Sequence, residues 1–600
     1  MSIRRAAFLF TLFFCVLASR RVYGQMFYAK SHVSSHKEKY QEFKMNLEGL
    51  PEKLDTVHFG LEKLCVNTMV SVEEKLEMRL VSPDGEQVLL FAMKGSTDLE
   101  EIPGFCMSDQ GVRKLSYSTK AGDVNFNAQE CLGELNNGQN PNGIWILQVR
   151  GDYVNEALGE EIEWRLYFGD KPSRPFNFSS SNLPILKINT YGNVIPDEPK
   201  IVCKMTIIDN GLGMRNQLTD TVFQYTGYTG IELRGSSSMK FPQKSFGITT
   251  LDETASKPQD ASLLGMPKES DWVLYAPYRD KSMVRNPLTY DLARSMGAYA
   301  PRTAYCELVL NGRYQGVYIL TEKVKRDKHR VNISRMDGDD NAGDSLTGGY
   351  LFKIDRYNGN DMKGWTSPKM PYAFDQRQEV TYVYDYPKGD FITEQQMAYI
   401  KAYVDSFESA FNRPLGKNEK HYYDFIDLPS FVDFFIITEL SKNFDGYRAS
   451  AFIQKDRDSK GGKLKMGPVW DYDFAWHNSK TCDANTVEGW AVDFGNYCFG
   501  DGMQVPFYWD CMRSDTTFSH ALYRRWQFLR KDIITEKRLC DYVDSTVAYL
   551  KEAGDRHYKM WPQRDNVPSD QVYRNRADEI ADLKKWIVDR LRWMDANMPR

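Results

Sequence analysis

Apolar and polar positions alternate along several short runs between about 50 and 170: 76–81 (LEMRLV), 88–92 (VLLFA), 144–149 (IWILQV) and 163–169 (EWRLYFG). A period of two places successive side chains on opposite faces, so these runs predict strands with one side toward a core. Pro83-Asp84-Gly85 and Asn136-Asn137-Gly138 punctuate them as turns. Together they predict an all-β, jelly-roll-like sandwich over 50–171. Residues 25–49 carry little periodic apolar signal and read as a polar lead-in. Residues 172–184 (PSRPFNFSSSNLP) read as a linker. From 185 onward strands mix with helix, in 199–208 (PKIVCKMTII), 305–310 (YCELVL) and 316–320 (GVYIL), with Asn311-Gly312 as a hairpin turn between the last two. Beyond about 390 the period lengthens to that of a helix. Ile580, Leu583, Ile587, Leu591 and Met594 form one stripe at three-to-four spacing. The expected architecture is multi-domain, with an all-β module ahead of an α+β domain over 185–600 whose C-terminal half is helical.

The first 24 residues alter the charge and set the compartment. Arg4 and Arg5 precede an apolar run from Ala6 to Ala18, and Val22-Tyr23-Gly24 ends in small residues. That pattern reads as a secretory signal peptide over 1–24. The run is too short to span a bilayer, and no later run reaches the length of a span. Removing the signal leaves 73 basic against 81 acidic residues, a balance of −8 where the full chain has −4. Such a balance disfavours nucleic acid as a partner. Nine cysteines remain in an exported chain without a C-x-x-C pair, which disfavours zinc ribbons and thioredoxin-like sites. Cys482 and Cys498, flanking a loop rich in Gly, Asp and Asn, form the best candidate bridge. The expected location is secreted, periplasmic or on the cell surface.

Candidate chemistry concentrates in 427–478. No H-E-x-x-H, G-x-S-x-G or P-loop lysine occurs. Pro429 and the apolar face of Phe431, Phe434 and Phe435 predict a buried helix ending near Lys442. Asn443-Phe444-Asp445 follows in a loop, then two strands over 449–455 and 463–470, then Asp471-Tyr472-Asp473. A hairpin brings its own ends together, so Asp445 and Asp471 can converge. Carboxylates and an amide oxygen at one place make a hard-oxygen site suited to Mg²⁺ or Mn²⁺, with Asp471, Asp473 and Asn443 as the candidate ligands. Protein kinases share this layout, in which the first Asp serves the acceptor hydroxyl and the second holds metal. Arg234, Lys240 and Lys244, around the small-residue turn at 235–238, offer cations for phosphate.

Several blocks in order resemble the spore-coat CotH kinase family: 234–238 (RGSSS), 242–246 (PQKSF), 271–286 (DWVLYAPYRDKSMVRN), 312–324 (GRYQGVYILTEKV), 347–355 (TGGYLFKID) and 467–475 (GPVWDYDFA). The resemblance covers about 200–600. It departs from the family pattern at Ser236-Ser237, where Asn-Ser is expected, and at the cysteine-bearing stretch 482–511. It implies an atypical protein-kinase-like fold that transfers the γ-phosphate of ATP to Ser or Thr of exported proteins. By position, Asp445 is the catalytic-loop acid and Asp471 the metal ligand. Lys244 is the phosphate lysine, and Glu322 lies at the nucleotide edge. The β module similarly resembles the P domain that follows proprotein convertases, through 80–85 (LVSPDG), 142–149 (NGIWILQV) and 164–169 (WRLYFG). That resemblance implies a jelly roll that binds protein or glycan, without a protease. The alternative from another class is a surface adhesion protein that uses the same fold for partner binding without turnover. A metal-dependent glycosyl or nucleotidyl transferase accounts for Asp471 and Asp473 but not for the order of the blocks.

Overall fold

A computed structural model of the chain describes residues 24–32, 40–67, 70–94, 100–102, 104–109, 125–154, 161–235, 237–356, 363–369, 379–411, 420–498, 503–561 and 576–599. The proposed signal segment therefore lies almost wholly outside the described residues. The chain divides into two compact units that follow one another at Pro175–Phe176.

The N-terminal unit is built from two sheets of five strands. One runs in the order Gln25–His32, Glu161–Gly169, Gly60–Asn67, Phe105–Met107, Asn125–Phe126; the other is built on Gln41–Leu47, Gly143–Val154, Val70–Val81 and Gln87–Lys94. Strict alternation along 41–47 sends Phe43, Met45 and Leu47 inward. Trp145 of the second sheet packs edge-on against Phe168 of the first at 5.6 Å, which ties the sheets through one core. The segment 25–49, expected as a polar lead-in, instead supplies the outer strand of each sheet. Edge strands carry charged residues on their open faces, and this masks a short apolar alternation in the sequence. Cys65 and Cys106, paired across neighbouring strands, form a disulfide.

The second unit begins with a closed barrel of seven strands: Ile185–Asn189, Ile201–Ile208, Tyr225–Arg234, Ser245–Thr250, Asp271–Tyr275, Arg313–Glu322 and Thr303–Leu310. All neighbours are antiparallel except the closing pair, 185–189 with 303–310, which is parallel. Leu186, Met205, Ile231, Phe246, Trp272, Leu308 and Leu320 fill the interior. Asn311 and Gly312 take φ of 50° and 80°, the left-handed pair that a tight hairpin needs.

A five-stranded sheet and a set of helices complete the unit, giving a mixed α/β domain with a helical end. The sheet order is Gly364–Thr366, Thr381–Tyr386, Tyr350–Ile354, Ala451–Lys455, Leu464–Met466. Helix Leu428–Ser441 lies at its centre. Asp427 caps its start by accepting from Ser430 N, Pro429 sits in the first turn, and ten of its residues from Phe431 to Ser441 are buried. It ends at Lys442, in the left-handed conformation. The C-terminal helix Arg576–Asn597 buries Leu583, Ile587, Leu591 and Met594 of the expected stripe, with Ile580 only partly buried.

Candidate active site

The buried helix, the hairpin and the barrel converge on one acidic cleft. The helix delivers the loop that carries Asp445, whose backbone N–H donates to Asn443 Oδ1 at 3.2 Å. Arg448 Nε lies 3.3 Å from the Asp445 carboxylate. The hairpin is shorter than expected: its second strand stops at Met466, because Pro468 has no N–H to continue the ladder. Gly467 N still donates to the Phe452 carbonyl, and residues 468–473 then leave the sheet and turn at Asp471, whose φ of 66° is costly for a residue with a Cβ.

That turn is over-determined by its neighbours. Asp471 N donates to Tyr290 Oη at 3.3 Å, and Tyr472 N to Asn286 Oδ1 at 2.6 Å. Asn443 Nδ2 donates to the Asp471 carbonyl at 3.4 Å, which joins the two acidic loops directly. Arg285, wholly buried, holds the carbonyls of Ala475 and Trp476 at 3.1 and 3.3 Å and pairs with Asp280 and Glu579. Strained backbone held by this many fixed partners is a hallmark of a functional turn.

The electrostatics of the cleft are unbalanced at Asp471. Asp471 is exposed to solvent, yet neighbouring protein crowds its carboxyl and strips part of its water. This desolvation, with the charges of Asp473, Asp445 and Asp355, pushes it up to about 8 against the pull of Arg234. Solvent at the mouth screens part of this repulsion. Asp473 is likewise raised, first by burial, although Tyr275 Oη donates to its Oδ2 at 3.0 Å. Its Oδ1 is buried and, among the described residues, has no hydrogen-bond partner.

Arg234 ends the barrel strand Tyr225–Arg234 and stacks over Trp470 at 5.0 Å. Burial lowers its pKa while Asp471 and Asp385 favour its charge. Asp385 is raised by burial, countered by Lys353, Lys323, Lys388 and Arg234. Lys353 bonds Asp355 at 2.5 Å. The structure thus brings Asp445, Asp471, Asp473, Asn443 and Arg234 together. It adds Asp355, Asp385, Lys323 and Lys353, which no reading of spacing had placed at the site. The signal lay in the ordered blocks 312–324 and 347–355, which contain Lys323, Lys353 and Asp355.

Two expected residues have other partners. Lys244 immediately precedes strand Ser245–Thr250, whose first residue, Ser245, pairs with Arg234, and its ammonium donates to the Met239 carbonyl at 2.7 Å. Glu322 is fully buried, accepts from Arg302 Nη1 at 2.9 Å and Tyr299 Oη at 3.3 Å, and lies 3.8 Å from Arg330. Its carboxylate is engaged in that ion-pair cluster.

The donor set suits a divalent cation bound jointly with phosphate. Among the described residues no three His, Cys, Asp or Glu side chains form a ready cage. Sites of the kinase type need only one or two protein carboxylates, the rest coming from water and phosphate. The orphaned Asp473 Oδ1 and the crowded Asp471 carboxylate meet that requirement.

A family model described as CotH kinase protein matches residues 231–594. The chain belongs to the CotH kinase family. Membership implies use of ATP and suggests an atypical kinase. The chain is also similar to the inner spore coat protein H of Bacillus subtilis (strain 168), 21% identical over 210 residues, which is 34% of this chain and 49% of that protein. It thus spans about half the length of that relative. The matched family region leaves the N-terminal unit outside it, so the resemblance of that unit to a P domain rests on its motifs alone. Among the described residues no helix is long and apolar enough to cross a membrane. The Cys65–Cys106 and Cys482–Cys498 disulfides suit an extracellular setting.

Proposed function

We propose that this CotH-family protein is an exported Ser/Thr kinase that transfers the γ-phosphate of ATP to secreted or surface proteins. The observation that carries this reading is the junction of the Asp445 loop and the Asp471 turn through Asn443, with Arg234 facing Asp471. Asp445 aligns the acceptor hydroxyl and takes its proton, and the ion pair with Arg448 fixes the direction of its carboxylate. Asp471 and Asp473 would hold the metal. Bound ATP with Mg²⁺ or Mn²⁺ supplies the transferable phosphoryl group and the cation that neutralises it. Arg234, Lys323 and Lys353 offset the remaining phosphate charge from the barrel and sheet edges, and Lys244, whose ammonium donates to the Met239 carbonyl, lends a further cation. Asn443 acts as a strut between the loops. The N-terminal β unit serves as a docking module for protein or glycan.

The full chain, incubated with labelled ATP and Mg²⁺ or Mn²⁺, should phosphorylate itself or an exported acceptor. Asp445→Ala should lower that rate about a thousandfold. Absence of metal-dependent nucleotide binding by the folded wild-type chain would reject the enzyme and favour the adhesion reading.

A further inference from the structure

The cysteine-bearing stretch after the Asp471 turn has no place in the chemistry above, yet it is built around the base of the Asp445 loop. Lys442 is the left-handed cap of the buried helix and directly precedes Asn443-Phe444-Asp445. It is 1% exposed. Its ammonium donates to the carbonyls of Asp483 at 3.0 Å, Thr486 at 3.2 Å and Glu488 at 2.5 Å, and to Thr486 Oγ1. Three N–H donors are thereby saturated by one loop.

That loop is closed by the Cys482–Cys498 disulfide, 16 residues apart in sequence. It grips the helix end a second time. Ala491 N and Val492 N donate to the Glu439 carboxylate at 2.6 and 2.9 Å, and Tyr447 Oη reaches the same carboxylate at 3.0 Å. Glu439 and Lys442 precede Asp445 and Tyr447 follows it, so the loop holds the chain before the catalytic acid directly and the chain after it through Glu439. Arg590 of the C-terminal helix completes the arrangement, donating to the carbonyls of Val487, Gly489 and Glu439.

Glycine ends many helices in this conformation at little cost. Here a lysine, a glutamate and an arginine are buried instead, although burying charge is expensive unless each is bonded. Such a device contributes less to net stability than to the choice of one backbone geometry. A closed loop of this length also removes alternative conformations that would release the ammonium. Trp476 N, just past the Asp471 turn, donates to the Ser441 carbonyl at 2.7 Å, but that turn is also held independently of the loop by Tyr290 and Asn286.

We infer that loop 482–498, closed by its disulfide, is a clamp that acts through Lys442 and Glu439 to hold Asp445 in its productive position. Lys442 is therefore a positioning residue. Its kinetic consequence rests on the phosphotransfer reading; its structural consequence does not. Opening the clamp displaces Asp445 and slows transfer while nucleotide, held by the Asp471 side of the cleft, still binds.

The test uses the oxidised full chain with Cys482→Ser/Cys498→Ser, Lys442→Met and the milder Thr486→Val, which removes one acceptor. Backbone hydrogen exchange is read by mass spectrometry, beside kcat and KM for ATP. The expected result is exchange over 443–449 faster by about tenfold or more, with 245–250 in the barrel unchanged. The same variants should lose about tenfold or more in kcat with KM for ATP within about threefold. Unchanged exchange over 443–449 in the folded cysteine and Thr486 variants overturns the clamp. Uniformly faster exchange that includes the barrel also overturns it, since it marks general destabilisation. If the wild-type chain transfers no phosphate while 443–449 still loosens, the kinase reading falls and the clamp stands.

Discussion

Two groups of carboxylates in the second unit meet opposite electrostatic fates at the two ends of one barrel strand, Asp271–Tyr275. At its start, Asp271 and Glu269 share Lys325 at 2.7 and 2.6 Å, and Arg330 lies 3.2 Å from Glu269. Burial alone would raise Asp271, but Lys325 outweighs it and holds the carboxyl down at about 2. At the strand's end, Tyr275 donates to Asp473, and loss of water, then the charges of Asp473 and Asp445, push Asp471 upward against Arg234. Both ends are dense in acid. Paired acids of the first kind hold the barrel together, whereas crowded acids of the second kind cost stability unless a cation arrives. A large perturbation without a matching partner is what separates a working site from a structural one.

The contrast is broken most sharply by paired substitutions. Asp471→Asn should abolish metal-dependent nucleotide binding, read by calorimetry, while raising the melting temperature of the ligand-free chain. Asp271→Asn should do the reverse, lowering stability by about 1–3 kcal/mol and leaving nucleotide binding in place, because the partly exposed Lys325 loses one of its two ion pairs. If both variants shift stability in the same direction, the distinction between the clusters fails.

The pH dependence of unfolding should carry both signs. The folded pKa of Asp271 lies below its unfolded value, so its contribution is present above about 3.8 and is lost as pH falls toward about 2. Asp471 has a folded pKa above its unfolded value. Its contribution is full below about 3.8 and is lost as pH rises toward about 8. Denaturant titrations from pH 2 to 9 should show both limbs, with Asp271→Asn flattening the acid limb and Asp471→Asn the alkaline one.

Smaller effects sharpen the same comparison. Mg²⁺ should raise the melting temperature more at pH 8 than at pH 6, because the cation and a proton compete for Asp471. Tyr275→Phe removes the one hydrogen bond shown to Asp473 Oδ2 and should cost about 0.5–1.5 kcal/mol in stability. Its effect on Mg²⁺ affinity should be only a few-fold, measured on the same calorimeter.

Local chemistry made much of this legible in advance. Phe431, Phe434 and Phe435 mark the buried helix, and Lys442 ends it. Asn311-Gly312 forms the expected hairpin turn. Cys482 and Cys498 are bonded. The Asp445 and Asp471 loops meet through Asn443. Each of these depends on residues close in sequence or joined by one hairpin, where spacing translates directly into geometry. The strands within 25–49 escaped because their outward charges dilute a short alternation. Glu322 was placed at the nucleotide edge by its strand-end position alone, which says nothing of Arg302, Arg330 and Tyr299 gathering around it.

By itself, the sequence determined the buried helix before Asp445, the apolar stripe of the last helix, the Asn311-Gly312 turn, the nearness of the two acidic loops and the family to which those blocks belong. Only the tertiary structure decided that the barrel closes by pairing 185–189 with 303–310, more than a hundred residues apart. It also decided that Asp355 lies near Asp471, that Asp385 sits among Lys323, Lys353 and Arg234, and that Lys442 is caged by a disulfide-closed loop. The physical reason is that periodicity encodes which face of an element is buried, not which distant element covers it. Charge balance at a site is a property of that second choice.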